Sequence, residues 1–357
     1  MTDFIKKLEK EFNTQIIYSN KHIWRNYYDV DNDGNITTLY LDKIDLKDLY
    51  VLLPVAHSLV NLGVLDCNIR TLVTLKSFTR LEILSLRQNN LYGSTLEHLS
   101  YLKKLKKLDL RGTNLTDTSS LGTLNNLEML FIGGSDHLDE IKGLESLKSL
   151  YHLDVSNSCI NSIENICANE NIRVLNLKGT NLKKITHLER FPNLESLNLD
   201  GTLVEKIEGL QASKNLKELF ISTWRIKRIE GLESLTKLEV LDLYLNEISK
   251  IEGLDNLTNL KWLSLNSNKI TKVEKLDNLT NLELLLLEAN ESITYFDTAF
   301  FHNLVSECYI YMRDMMEIER IQTAAPENVK INYNDDYQWP TSLYKVPSNI
   351  LNNLYLQ

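Results

Sequence analysis

Three aspartates near the N-terminus stand at every second position of the chain. Asp29, Asp31 and Asp33 are followed by Gly34, and oxygen ligands at alternate positions before a glycine turn are an arrangement that suits Ca²⁺. Such a loop also needs a glutamate at its twelfth position, but Tyr40 stands there. Because the missing glutamate removes the strongest ligand, this stretch is interpreted as the turn of a β-hairpin, and no metal site is predicted.

His152 and Asp154 are the pair whose residue types could support acid–base chemistry. They stand two positions apart, so in a strand they would share one face. A histidine–carboxylate pair without a nucleophile or a pocket is usually surface chemistry. Gly133-Gly134-Ser135 is not followed by the Gly-Lys-Ser/Thr of a phosphate loop, and the sequence has neither H-E-x-x-H nor a nucleophile elbow. We therefore predict that the protein is not an enzyme and needs no cofactor.

The bulk composition narrows the classes of partner. The chain has 357 residues and a net charge of −9, which argues against nonspecific nucleic-acid binding, since that needs a basic surface. It has no apolar run long enough to cross a bilayer, and its N-terminal segment lacks the apolar core of a signal peptide. Its four cysteines, at positions 67, 159, 167 and 308, show no paired spacing. We predict a cytoplasmic protein that binds neither nucleic acid nor membrane, with a secreted or surface form left open.

A short sequence repeat covers most of the chain and must therefore position any functional side chains. Two adjacent units share five positions at one fixed spacing: Leu238, Leu241, Leu243, Asn246 and Ile248 recur as Leu260, Leu263, Leu265, Asn268 and Ile270. Units begin at Ile36, Leu59, Leu81, Leu105, Leu127, Leu150, Ile172, Leu194, Leu216, Leu238, Leu260 and Leu282. A fixed period of this length is typical of stacked units that cannot bury their apolar faces alone.

The pattern L-x-x-L-x-L-x-x-N-x-I resembles that of leucine-rich repeats. The later units add I-E-G-L, as in Ile207 to Leu210, and this form is similar to the subclass named for a regulatory subunit of protein phosphatase 1 and found in bacterial internalins. The resemblance implies an α/β solenoid, a horseshoe with a continuous concave parallel β-sheet and short helical or irregular convex segments. It also leaves two alternatives to simple protein binding: a regulatory subunit of a protein phosphatase, or the recognition region of a longer enzyme or surface adhesin.

The asparagine of the pattern has a specific task. Its side chain can close the turn after each strand by bonding backbone groups that would otherwise be unpaired. This position holds Asn89, Asn246, Asn268 and Asn290, but elsewhere Cys67, Thr113, Ser135, Ser158, Thr180 and Thr202, which offer weaker or fewer bonds. Ile44 and Trp224 break the rule. Since a tryptophan does not fit a slot made for asparagine, we expect Trp224 to turn toward solvent or toward the rim of the concave face.

The domain organisation follows from where the pattern begins and weakens. Residues 1–35 are predicted to form a cap from an amphipathic helix over residues 3–16 and a hairpin, and residues 36–303 to form twelve repeats. Residues 304–334 hold two degenerate repeats, with Val305, Cys308, Ile310 and Arg313 in repeat positions and strands near 308–310 and 329–331. Residues 335–357 are predicted to be a C-terminal capping tail.

Outward-facing positions of neighbouring strands form rows on the concave sheet. In the later units we predict rows of Glu218, Val240, Trp262 and Leu284; of Phe220, Asp242, Ser264, Leu286 and Tyr309; and of Ser222, Tyr244, Asn266, Glu288 and Tyr311. Aromatic anchors among polar groups are typical of interfaces. The predicted partner-binding residues are Glu218, Phe220, Trp224, Asp242, Tyr244, Trp262, Leu284, Leu286, Tyr309 and Tyr311.

Charge varies along the same face. Arg87, Lys107 and Arg111 make its early part basic, whereas residues such as Asp200 and Asp242 make its later part acidic. This asymmetry would orient a partner of opposite polarity. The predicted partner is another protein, bound by a monomer or weak oligomer. The alternative is that the C-terminal tail folds over the aromatic residues and uses them as core.

Overall fold

The computed structural model describes residues 2–22, 25–91, 93–290, 293–312 and 318–332. Within them, sixteen strands form one sheet in which almost every strand is hydrogen-bonded to the strands before and after it along the chain. The strands are Ile17–Tyr18, Tyr27–Val30, Ile36–Asp42, Asn61–Leu65, Ile83–Ser85, Lys107–Asp109, Met129–Phe131, His152–Asp154, Val174–Asn176, Ser196–Asn198, Glu218–Phe220, Val240–Asp242, Trp262–Ser264, Leu284–Leu286, Cys308–Tyr311 and Val329–Asn332. All neighbours are parallel except Tyr27–Val30 and Ile36–Asp42. This confirms the predicted solenoid.

The N-terminal segment begins with the helix Thr2–Phe12, which packs Ile5 and Leu8 into the core. The helix is shorter than predicted, because Asn13 has a φ of 47° and a left-handed residue ends a helix. Ile16 is still buried, but it lies beyond the helix, just before the strand Ile17–Tyr18. The antiparallel hairpin turns where predicted: the Asp31 carboxylate accepts hydrogen bonds from the backbone N–H groups of Asp33 and Asn35. That carboxylate therefore stabilises the turn.

The other side of the solenoid changes character along the chain. Its early units carry 3₁₀ helices, at Tyr50–Val55, Val73–Ser77, Gly93–Tyr101, Ser119–Thr123, Leu144–Ser146, Ile163–Asn165 and Leu188–Arg190. The later units have turns instead, up to the 3₁₀ helix Ala299–Asn303. A second, two-stranded parallel sheet pairs Lys272–Val273 with Tyr295–Phe296, and the α-helix Ile318–Ala324 precedes the last strand.

Leucines of the repeat form the core between these two sides. In the unit that begins at Leu238, the side chains of Leu238, Leu241, Leu243 and Ile248 are all fully buried. The same holds along the arc, so one continuous apolar core runs from Ile5 to Val329. Each unit buries its leucines against the next, which is why the repeats are stable only when stacked.

Asparagines in the repeat position connect successive units. The Asn268 amide Nδ2 donates hydrogen bonds to the carbonyl of Leu265 in its own unit, at 3.1 Å, and of Leu243 in the preceding one, at 2.9 Å. Its Oδ1 accepts from the Ile248 backbone N–H at 3.0 Å. The Thr180 hydroxyl, in the equivalent position, donates to the Leu177 carbonyl of its own unit, at 2.7 Å. The threonine therefore closes a turn without bridging two units.

Trp224 departs from the repeat as expected. Its side chain is 59% exposed, and its φ of 61° places the backbone in the left-handed region. Thr223, fully buried, lies beside the asparagine of the next unit instead, and its hydroxyl donates to the Asn246 Oδ1 at 3.2 Å. The prediction that Trp224 turns toward solvent is confirmed.

The strands predicted near 308–310 and 329–331 are present, but the alignment of the first was wrong. Leu285 pairs with Ile310, whereas the assumed alignment would pair it with Cys308. Val305 is 70% exposed and does not hold an inward repeat position, whereas Leu304 is buried. Arg313 and the predicted tail 335–357 lie outside the described residues, so the tail's capping role and the domain limits stay predictions.

Candidate binding site on the concave face

Pairing between strands places outward residues of successive units side by side. Glu218 pairs with Val240, Val240 with Trp262, and Trp262 with Leu284, which are the predicted rows. The same register aligns Phe220, Asp242, Ser264 and Leu286. We call Glu218, Asp242, Tyr244, Trp262 and Leu284 the late patch.

Two of the predicted partner-binding residues are not available to a partner. Phe220 is 2% exposed and Leu286 is 4% exposed, although both point outward from the sheet. Phe220 lies between neighbouring strands and packs with Val240 and Trp262 in a small apolar cluster separate from the main core. Because side chains converge on the inside of a curved sheet, the middle row is covered by its own neighbours. The prediction of these two residues as surface contacts was wrong.

The two C-terminal tyrosines lie one row away from their predicted places. Tyr309 pairs with Leu284 and Tyr311 with Leu286, so they extend the first and second rows rather than the second and third. The error has the same origin as the misaligned strand that contains them. Both side chains are half-buried.

Trp262 and Tyr244 are the accessible aromatic residues of the late patch. Tyr244 is 37% exposed, and Trp262 is half-buried against Phe220 and Val240. The indole Nε1 of Trp262 is buried and has no hydrogen-bond partner among the residues that the structure describes. An unpaired buried donor costs free energy, so a small rotation of the ring toward an acceptor on a bound partner would be favourable.

The carboxylates around these rings are held in a poorly solvated setting. Burial raises the pKa of Asp242. Burial, and then the nearby Asp242 carboxylate, raise the pKa of Asp200 to about 6. Asp242 accepts a hydrogen bond from the Tyr244 backbone N–H at 2.9 Å, and Asp200 accepts one from the Ser222 backbone N–H at 3.0 Å. Both carboxylates of the late face are therefore easier to protonate than an exposed aspartate.

Trp224 belongs to a different surface. It lines a groove of about 630 Å³ with Arg225, Lys227 and Glu247. Arg225 forms an ion pair with Glu205 at 3.4 Å, and Lys227 is 3.9 Å from the Glu247 carboxylate. In the described part of the chain, no residue of the late patch lines this groove. The structure thus does not bring Trp224 together with the other predicted partner-binding residues.

The early concave face is basic, as predicted. Arg111 makes two hydrogen bonds to the Asp109 carboxylate, from Nε at 3.0 Å and from Nη2 at 2.8 Å. Arg87 approaches the same carboxylate at 4.0 Å. The Lys107 amino group and the Arg111 guanidinium each lie 5.1 Å from the centre of the Phe131 ring. Cations over an aromatic face are attracted by its quadrupole.

His152 and Asp154, whose residue types could support acid–base chemistry, are packed into the concave sheet. Both are buried on successive outward positions of one strand, and the described residues contain no hydrogen bond between them. His152 packs on the Phe131 ring, with centroids 4.9 Å apart, and Asp154 accepts from the Ser156 backbone N–H at 2.8 Å. Burial lowers the pKa of His152 to about 4. Its imidazole is therefore neutral and packed.

A pair of stacked tyrosines on this face was missed by sequence reasoning. Tyr27 and Tyr40 stack with ring centroids 5.5 Å apart, and Tyr40 lies over Gly63 in the next strand. The signal that could have found it is a glycine at an outward strand position beside an aromatic residue in the preceding unit, since glycine in a strand often marks a close approach.

The described residues hold no cluster of three or more metal-ligating side chains. They also contain no helix with the length and apolar character of a membrane span.

Comparison with known proteins gives the same architecture. A family model for leucine-rich repeats, in two copies, matches residues 214–256. No curated protein sequence matches significantly. An internalin of Listeria monocytogenes superimposes with a TM-score of 0.56 and 21% identity over 80% of this chain and 89% of that one. A leucine-rich repeat protein of Leptospira interrogans gives 0.61 and 22%, over 79% and 74%.

A third similar structure is that of a TLR13–ssRNA13 complex, with a TM-score of 0.62 and 19% identity. The match covers 80% of this chain but only 48% of that one. At these identities the three likenesses concern the fold alone.

Proposed function

Because the chain is a leucine-rich repeat protein with the fold of bacterial internalins, we propose that it binds a partner protein through the late patch of its concave face. The observation that carries this proposal is Trp262. Its ring is half-buried on a rigid sheet, the accessible Tyr244 lies in the preceding unit, and its indole N–H has no acceptor among the described residues. Concave faces of solenoids are extended binding surfaces.

The rigidity of the site supports the same function. The parallel pairing of Val240, Trp262 and Leu284 fixes the spacing of the side chains before a partner arrives. A preorganised surface loses little conformational entropy on binding. Large aromatic side chains among polar groups are also the residues that contribute most to binding at protein interfaces.

The carboxylates of the face favour a partner with a basic contact surface, because a cation placed beside Asp242 would offset the burial that raises its pKa. Glu218 and Asp242 flank the aromatic residues of the late patch, whereas Arg87, Lys107 and Arg111 lie at the opposite end of the arc. Complementary charges raise association rates and fix orientation. The TLR13 structure is a complex with RNA, but the net charge of −9 in this chain favours protein over nucleic acid as the ligand.

The test is capture of the partner from cell extract with the intact chain as bait, then with the double variant Trp262→Ala and Tyr244→Ala. The double variant should lose the captured protein, with a thermal transition that shifts by only a few degrees. Tyr101→Ala is a matched control, because Tyr101 is an exposed aromatic residue on a 3₁₀ helix outside the sheet. Unchanged capture by the double variant would refute the proposal. A collapse of its stability would show that these rings belong to the core.

We also propose a cytoplasmic location and a monomeric or weakly associating protein without catalytic activity. The four cysteines are unpaired in the structure, and a reducing compartment would keep them so. Fractionation of cells that express the tagged native gene tests the location. Recovery of the protein in the medium or at the cell surface would instead favour the adhesin alternative.

A further inference from the structure

The early end of the concave face contains a pocket that the proposed partner site does not use. It has a volume of about 410 Å³ and is lined by side chains from the hairpin and the next strands, including Tyr27, Tyr40, Arg87, Lys107 and Arg111. Pockets of this size suit small organic ligands. Its walls differ: one is aromatic and the other carries the cations.

The aromatic wall is built around Gly63. Tyr27 and Tyr40 stack with an interplanar angle of 24°, and His22 meets both rings edge-on at 5.7 and 5.3 Å. A Cβ atom on Gly63 would overlap the Tyr40 ring. The ring takes this position because the next strand carries no side chain there. The result is a flat, fixed surface on which a planar ring can stack.

The side chains of the cationic wall carry more positive than negative charge. Arg87, Lys107 and Arg111 face one lining carboxylate, Asp109, so three positive charges meet one negative charge and two remain. Arg111 occupies both oxygens of Asp109, whereas the Arg87 Nε is buried without a hydrogen-bond partner among the described residues. Asp42 and Asp154 act on the pocket electrostatically but do not line it. Burial, with a contribution from Arg111, lowers the pKa of Lys107.

We propose that this pocket binds a small phosphate monoester attached to a planar ring, with the ring on Tyr27 and Tyr40 and the phosphate between Arg87 and Lys107. A phosphate monoester carries a charge of about −1.5 to −2 at neutral pH, which matches the net positive charge of the side chains that line the pocket. A carboxylate would balance only part of that charge. Arginine also presents several donors that suit phosphate oxygens. An aryl phosphate and a nucleoside monophosphate share this chemistry.

The experiment is isothermal titration of the full chain at low ionic strength with phenyl phosphate, AMP, inorganic phosphate and adenosine. We expect saturable one-to-one binding of phenyl phosphate or AMP, and the tighter of the two identifies the ring. Inorganic phosphate and adenosine should each bind at least about tenfold more weakly, because each lacks one half of the ligand. Absence of saturable binding by both phosphate esters would overturn the proposal, and so would equal affinity for inorganic phosphate.

Two variants locate the binding. Arg87→Gln should weaken the preferred ester by about tenfold, as expected for one charge-assisted hydrogen bond. Lys178→Gln is the matched control, since Lys178 is a half-buried cation in a later unit of the solenoid, outside the pocket lining, and it should change affinity by less than about twofold. If Arg87→Gln and the unaltered chain bind the preferred ester equally well and have matching thermal transitions, the ester binds elsewhere and the proposal is overturned. Neither result bears on partner capture by the late patch.

Discussion

Replacing Asn268 by alanine tests whether the asparagine ladder holds successive units together. The change removes the Oδ1 acceptor of the Ile248 N–H and the Nδ2 donor to the carbonyls of Leu243 and Leu265. These carbonyls keep another amide donor each, from Asn246 and Asn290. The Ile248 N–H, however, is left buried without a partner. The substitution thus leaves one backbone donor unpaired and removes hydrogen bonds from a network that spans three units.

The expected loss of unfolding free energy follows from these lost hydrogen bonds. A buried backbone donor without a partner costs about 1–3 kcal/mol, and the lost volume and shared amide bonds add to it, so we expect about 3 kcal/mol for Asn268→Ala. Thr180→Val is the matched comparison. It removes one hydroxyl bond to the Leu177 carbonyl, which also accepts from the Thr180 backbone N–H. We expect it to cost about 1 kcal/mol.

The assay is urea unfolding followed by circular dichroism, with the midpoint and slope fitted for each variant. A change of midpoint at constant slope measures stability, and the expected ratio of the two losses is about three. Equal losses for Asn268→Ala and Thr180→Val would show that the bonds between units add nothing to closure of the turn. In that case the asparagines would not hold successive units together.

Two further predictions use the same measurement. Gly209→Ala should destabilise the protein by about 3 kcal/mol or more, because its φ is 74° and an added Cβ would overlap the Ile185 carbonyl oxygen. Gly201 has a similar φ, but the atoms nearest to an added Cβ lie at 3.6 Å, so Gly201→Ala should cost only about 1 kcal/mol. Equal losses of stability in the two variants would contradict the steric argument. His152 has its pKa lowered to about 4 in the folded chain, so its contribution to stability is present above its ordinary pKa of 6.5 and is lost as the pH falls toward 4. Stability relative to His152→Gln should therefore fall by about 2 kcal/mol between pH 7 and pH 5, and parallel pH curves would refute this. Asp200, with its pKa raised to about 6, makes stability rise as the pH falls, which opposes the effect of His152. Because Asp200 is present in both proteins, the comparison with His152→Gln removes its contribution.

The sequence was sufficient to predict the architecture because the leucine pattern is a direct consequence of stacking. Residues such as Leu241 and Leu263 must both point inward and pair with each other, and they do. The same logic predicted that Trp224 could not occupy the asparagine slot. In both cases one unit and its neighbour determine the result, so the local pattern carries enough information.

The C-terminal register was not predictable from the same pattern. Between Leu287 and Cys308 the chain adds the short strand Tyr295–Phe296 and the 3₁₀ helix Ala299–Asn303, which lengthen this unit so that Leu285 pairs with Ile310. In the observed register the residue equivalent to Leu282 is Glu307, three positions before Ile310. Because a glutamate does not match the leucine pattern, the unit was aligned on Val305, two residues earlier, although Val305 is exposed. Tyr309 and Tyr311 were therefore assigned to the wrong rows.

Curvature, which no single unit encodes, determines the accessible part of the concave face. The middle row of outward residues is largely buried by its neighbours, at Phe131, Phe220, Ser264 and Leu286 among others. Side chains converge on the inner side of the arc, so an aromatic residue there is enclosed from both sides, whereas Tyr244 in the third row stays exposed. Trp262 lies in the first row. The two rings proposed as anchors therefore stand on opposite sides of the middle row, where Asp242 and Ser264 lie between them, and a partner must span that row to contact both.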